Sequence, residues 1–344
     1  MLATIISALC LAIMLILDRL MMKDTYDNSP AQAIIISSVG GTIFGLLSTF
    51  IWWTIGPDSL SVYAGNAISW LYPYGLLVMV AGVLSSQVLH QYFVCFSKKI
   101  DSNVIASWIA ATPVFVYIAM IGLEQTNIIL GESLYSISTL GGVLLTTLGL
   151  YCLEKSSTCK TNGQDTYHIN LLMFLVLSVI YIILIDWTLE TGSSILAVST
   201  TTFTMSLLPW FWVGFLYGAR TALKKKHRDK FKTNWPKVRM FLLPIFVLEI
   251  IGMYVFFFEF IGLGELDPLT VALITGLHAV VVWLVSVGLG LYSKKMVRNK
   301  REFISFAGLQ LSQDALEQFD APMSVRRKQA QSAFIVMIGL ILFF

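Results

Sequence analysis

Apolar residues in this chain come in long runs, not in the alternations or one-sided stripes of a soluble fold. Ten such stretches stand out, at 1–20, 33–54, 74–96, 103–123, 136–153, 169–187, 197–218, 239–261, 268–291 and 330–344. A bilayer core of ~30 Å takes about 20 apolar residues as a helix. Runs of this length are not the alternating ten-residue strands of a membrane barrel, so helices are the spanning element. The pattern predicts an all-α integral membrane protein with ten transmembrane helices. The first run has no basic leader and no small-residue cleavage site, and it reads as a retained span.

The polar separators fix a sidedness. Arg19 and Lys23 follow the first run, Lys98 and Lys99 the third, and Lys155 and Lys160 the fifth. The other basic residues fall between runs seven and eight (Arg220 to Arg239) and between runs nine and ten (Lys294 to Lys328), which accounts for all 23 Lys and Arg. The alternate loops, around Asp58, Glu132, Glu190 and Glu265, carry none. By the positive-inside rule the basic loops are cytoplasmic and both termini face outward. These clusters can also touch anionic lipid head groups.

Composition agrees. Of 344 residues, 56% are hydrophobic and 12% charged, with mean hydropathy +0.77. Soluble domains carry about 25% charged residues, so this chain could not cover itself with polar surface in water. The net charge of +3 gives no reason to expect nucleic acid. Cys10, Cys95, Cys152 and Cys159 lack metal-ligand spacing, and no phosphate-binding glycine loop, zinc-binding helix motif or Gly-x-Ser-x-Gly appears. No cofactor and no enzymatic activity are expected.

Five runs lie on each side of the 154–168 loop. Asp101–Gly122 (DSNVIASWIAATPVFVYIAMIG) aligns with Asp267–Gly288 (DPLTVALITGLHAVVVWLVSVG) at an offset of 166 residues. LILDRL in run one resembles ILIDWT in run six, and runs five and ten share Gly149-Leu150 and Gly339-Leu340. Residues 1–153 then form a first five-helix repeat, 154–168 a cytoplasmic linker, and 169–344 a second repeat with an insertion at about 292–329. An odd number of spans per half inverts one half against the other and puts a solute site between them near the midplane.

Residues 97–155 (SKKIDSNVIASWIAATPVFVYIAMIGLEQTNIILGESLYSISTLGGVLLTTLGLYCLEK) open on a polar turn and continue through a mid-span Pro113, Leu130-Gly131-Glu132 and a glycine-rich fifth span. In this pattern the chain resembles the ten-span EamA-like branch of the drug/metabolite transporter superfamily. The second half departs from it, with His278 near the proline position and no Leu-Gly-Glu between runs nine and ten. The resemblance implies transport of small organic metabolites across the plasma (inner) membrane.

Ionisable groups inside a span cost about 2.5–3.5 kcal/mol at the helix centre and so call for a role. Glu249 is halfway along run eight, where a carboxylate suits proton coupling or a cationic solute. His278 is central in run nine and pairs, by the repeat offset, with Thr112 beside Pro113. Gln87, His90 and Gln91 form one polar stripe on run three, which must face protein or a wet cavity. Trp108, Tyr117, Tyr181, Trp210, Trp212 and Trp283 could cage a cation or a ring. Trp52, Trp53, Trp70, Tyr72 and Tyr74 read as interfacial belt residues. Asp18, Asp186 and Glu259 sit near span ends, where water is expected to reach them. Residues 302–320 place Phe303, Phe306, Leu309, Leu316 and Phe319 roughly on one side, predicting an interfacial helix.

The expected function is secondary transport of a small metabolite by alternating access, with the proton as candidate driver and the substrate bound by Glu249, His278, Gln87, His90, Thr112, Trp108, Tyr181 and Trp283. The solute and membrane lipid are the expected partners, and monomer and homodimer both stay open. A flippase for a lipid-linked head group would need a lateral opening. A membrane-embedded enzyme would need acids or histidines clustered at one membrane face, whereas these fall on different spans near the midplane.

Overall fold

The structure is a computed structural model that describes residues 1–26, 29–37, 74–98, 102–125, 137–156, 166–193, 223–266, 268–298, 303–306, 309–312, 316, 319 and 322–342. The greater part of the second run, all of the seventh, Trp52, Trp53, Trp70, Tyr72, Trp210, Trp212 and Leu130-Gly131-Glu132 lie outside the described residues.

Within them the chain is helical apart from one hairpin. The helices are α1 (Leu2–Asp24), α2 (Tyr74–Ser97), α3 (Ser102–Ala110), α4 (Thr112–Gln125), α5 (Ile137–Ser156), α6 (Thr166–Ser193), α7 (Lys225–Met240), α8 (Leu242–Glu265), α9 (Pro268–Gly276), α10 (His278–Arg298) and α11 (Met323–Ile341). Residues 30–37 are helical as well. Four stretches are long and apolar enough to cross a membrane: Leu2–Met22, Ser102–Leu123, Ile169–Trp187 and Pro268–Lys295. These match the first, fourth, sixth and ninth apolar runs closely.

Where an interfacial helix was expected over 302–320, the described residues 303–306 and 309–312 form a hairpin instead. Phe303–Phe306 pairs antiparallel with Leu309–Ser312, Phe306 opposite Leu309 and Phe303 opposite Ser312. Apolar residues recur every second position (Ile304, Phe306, then Leu309, Leu311), and that period of two favours strands over a helix.

Large apolar side chains lie outward. On α5, Leu140, Leu144 and Leu148 are 52%, 62% and 51% exposed, one per helical turn along one side. The other side of α5 carries Gly142, Thr146 and Gly149. A Cβ added at Gly149 would lie 2.7 Å from Val336 Cγ2 and 2.8 Å from Val336 N of α11. One added at Gly339 of α11 would lie 2.6 Å from Thr146 N and 3.0 Å from Gly142 O. Small residues let the two backbones touch, as helices do where lipid removes the hydrophobic drive to associate. Small residues inward and leucines outward fit a membrane-embedded protein.

The same contacts set direction. Gly149 meets Ser332 and Val336 while Gly339 meets Gly142 and Thr146, so the two helices run antiparallel. In α1 and α8, the Ser7 hydroxyl donates to Val255 O (2.9 Å) and Thr4 abuts Gly262, again antiparallel. The other extensive packing pairs are α2 with α6, α1 and α3 with α10, and α4 with α9.

Candidate functional site

Two long helices are interrupted halfway. Between α3 and α4 the cause is Pro113: it has no N–H to give Ile109 and disfavours helical geometry at Thr112. Ala111 N–H is shared between the Ser107 carbonyl (3.0 Å) and the Trp108 carbonyl (3.2 Å), and Val114 N–H reaches that of Ala111 (3.0 Å). Between α9 and α10 there is no proline, yet the pair of three-residue hydrogen bonds recurs. Leu277 N–H donates to Ile274 O and Val280 N–H to Leu277 O, each at 3.1 Å. Every member of the second set lies 166 residues after its counterpart.

His278 supplies what proline supplies in the other helix. Gly276 ends α9, and the His278 ring folds back so that Nδ1 lies 2.6 Å from the Thr275 carbonyl, the contact of a donated N–H. The ring is fully buried, with the Ala106 backbone of α3 also in reach. Nε2 completes no hydrogen bond of good geometry.

Both breaks border one cavity of about 110 Å³, with walls from α1, α2, α3, α4, α6, α8 and α9. The lining is largely apolar, including Met14, Leu89, Phe174, Ile182 and Val255. Its polar groups are Tyr92, Thr112, Ser178, Tyr181, Glu259 and Thr275. Thr112 and Thr275 are 4% and 8% exposed, and neither hydroxyl has a hydrogen-bond partner. A helical threonine ordinarily bonds back to a carbonyl four residues earlier, as Thr147 does to Val143 in α5. Glu259 acts electrostatically on Tyr181 across the cavity. No Lys or Arg lines the cavity among the described residues.

Beside the cavity is a second polar group. The Tyr92 ring is in the cavity wall, and its hydroxyl donates to Asp18 Oδ2 at 2.5 Å. Asp18 is 5% exposed and lies close enough to Glu249 to interact by charge, with Tyr26 near both. Glu249, 3% exposed, hydrogen-bonds Ser37, and its Oε2 has no partner. Two carboxyl groups thus share a low-dielectric pocket walled by α1, α2, α8 and the 30–37 helix.

Of the residues expected to bind solute, Thr112 and Tyr181 line the central cavity. Glu249 lies behind the cavity in the Asp18–Tyr92 group, and His278 is buried at the α9–α10 break. Gln87 and His90 are half-buried on α2, where the cavity is instead met by Val88, Leu89 and Tyr92. Trp108 borders a separate cavity of about 180 Å³ between α3–α4, α5 and α6. Trp283 is half-buried on α10, its Nε1 without a partner. Asp18, expected at a water-accessible span end, is instead an interior group, whereas Glu259 is half-buried and lines the cavity. The sequence signal for Glu259 was its isolation in an aromatic run, FFFEF. Among the described residues, no group of three His, Cys, Asp or Glu could hold a metal ion.

No family model matches the chain, and no curated protein matches it.

Proposed function

We propose that the chain is a membrane carrier for a small organic solute, with ten spans in two inverted five-helix repeats that alternate access to a central site. The observation that carries this reading is the matched pair of helix breaks. Residues 108–114 and 274–280 interrupt their helices with matching pairs of three-residue hydrogen bonds, stand one repeat offset apart, and place Thr112 and Thr275 on a single cavity. Interrupted helices at a repeat interface are how carriers expose backbone and side-chain groups to a solute at membrane depth.

The packing supports the same reading. Under the repeat, α1 corresponds to α6, α2 to α8, α3–α4 to α9–α10 and α5 to α11. The α1–α8 pair then maps onto α6–α2, and both are extensive contacts. The pair of broken helices maps onto itself, and so does α5 with α11, as elements on a two-fold axis must. The resemblance of residues 97–155 to EamA-like transporters points the same way. Basic residues confined to one set of loops put that side in the cytoplasm and the termini outside.

Proton coupling fits the Asp18–Tyr92–Glu249 group. A carboxyl pair away from the solute but joined to the cavity wall by one hydrogen bond can change protonation as the solute comes and goes. The test is flux into proteoliposomes with an imposed pH gradient. Glu249→Gln should abolish gradient-driven uptake while yield and fold survive. Normal uptake in that variant would remove Glu249 from coupling, and a pure protein that moves no solute in exchange or net flux would end the carrier reading.

A further inference from the structure

The cavity at the two helix breaks has a lining that specifies its occupant. It is small, below the ~300 Å³ at which drug-sized pockets begin, and mostly apolar. Glu259 is its only acid among the described residues, and no base lines it. Thr112 and Thr275 add two hydroxyls that the protein leaves without partners although both are more than nine-tenths buried. Unmet polar groups in a dry site are costly unless a ligand meets them.

We propose that this cavity binds a small organic cation with one protonated amine on a compact apolar body, its charge balanced by Glu259 and its N–H groups accepted by the Thr112 and Thr275 hydroxyls. An ammonium group has three donors and no acceptor, and these side chains offer three places for them. Leu89, Phe174, Ile182 and Val255 take the hydrocarbon, and Tyr92 and Tyr181 present aromatic rings, which attract cations. An anion would meet Glu259 with no compensating base, and a neutral alcohol would leave the carboxylate unpaired. This rests on the reading of the cavity as the solute site. It does not require that the bound amine be carried.

Three isosteres separate the cases: isoamylamine, isoamyl alcohol and isovalerate share one hydrocarbon body and differ in charge. The full-length protein in detergent is titrated with each, and the thermal midpoint is followed as a function of concentration. The expected result is stabilisation by the amine, with at least tenfold weaker affinity for the alcohol and the carboxylate. Glu259→Gln should remove the preference, and Glu259→Asp should keep it. Should Glu259→Gln not fold, the isostere comparison on the unmodified protein and on Thr112→Val decides. Equal affinity for the three probes, no response to the amine, or an amine preference that survives Glu259→Gln would overturn the proposal. Labelled isoamylamine in proteoliposomes reads the other question: an amine that binds through Glu259 and never crosses leaves this site standing and ends the carrier reading.

Discussion

The Tyr92 hydroxyl donates to Asp18 Oδ2 across 2.5 Å, tying a ring in the cavity wall to a carboxyl group the cavity does not touch. Tyr92→Phe keeps the ring and cuts the tie. Its expected cost is about 1–2 kcal/mol, the usual effect of leaving one buried acceptor unmet, read as a lowered thermal midpoint. In the proposed carrier it should also uncouple solute flux from the pH gradient while leaving solute affinity near its original value. A variant that loses stability but keeps full coupling would make the bond structural only.

His278 holds the α9–α10 break closed against the Thr275 carbonyl. His278→Ala removes that donor and opens a void in a fully buried position. A loss of about 2–3 kcal/mol follows from the unmet carbonyl together with the lost packing. His278→Asn, which keeps a short donor, should recover part of it. Thermal unfolding in detergent separates the three proteins, and equal midpoints for Ala and Asn would show that the ring's volume matters and its hydrogen bond does not.

Glycines along the helices make a graded test of packing. Gly149→Leu and Gly339→Leu force side chains into backbone already in contact, and overpacking of this kind costs about 1–3 kcal/mol or more. Gly141 has open space around its would-be Cβ, so Gly141→Ala should be neutral or stabilise by up to ~1 kcal/mol through helix propensity. Melting curves of the three variants check the ordering.

The basic helix α7 exposes Lys226, Arg228, Lys230 and Lys232. On the proposed orientation, Lys232→Cys in a cysteine-free background reacts with an impermeant maleimide only from the cytoplasmic side, and a cysteine appended before Met1 reacts only from outside. Labelling of both from one side would reverse or break the topology.

How much of this was legible beforehand depends on which property each residue reports. Span positions come from length and apolarity, so Ile169–Trp187 could be drawn to the residue from sequence. Pro113 announced one helix break by its chemistry. Its counterpart at Leu277 was hidden, because a glycine and a back-folded histidine do there what proline does elsewhere. The offset of 166 pointed to the position but not to the turn. Azimuth was the weakest inference. Moving one residue along α2 rotates the side chain by about 100°, which separates the Gln87–His90 stripe from Val88, Leu89 and Tyr92 on the cavity. Depth along a helix also misled for Asp18. A position near a span end does not say whether neighbouring helices wall it off, and at Asp18 Tyr92 and Glu249 do.

Backbone lies against backbone where α5 crosses α11, so neither helix can slide without driving a peptide group of one into the other. Side chains elsewhere can change rotamer and reseat, but this crossing has almost none to move. In the proposed carrier, whose remaining helices would tilt, such a rigid crossing is a fulcrum. It would leave the pair free to twist a little about its contact point but not to part, so on the proposed two-repeat reading any rocking of one half would pass to the other through Gly149 and Gly339.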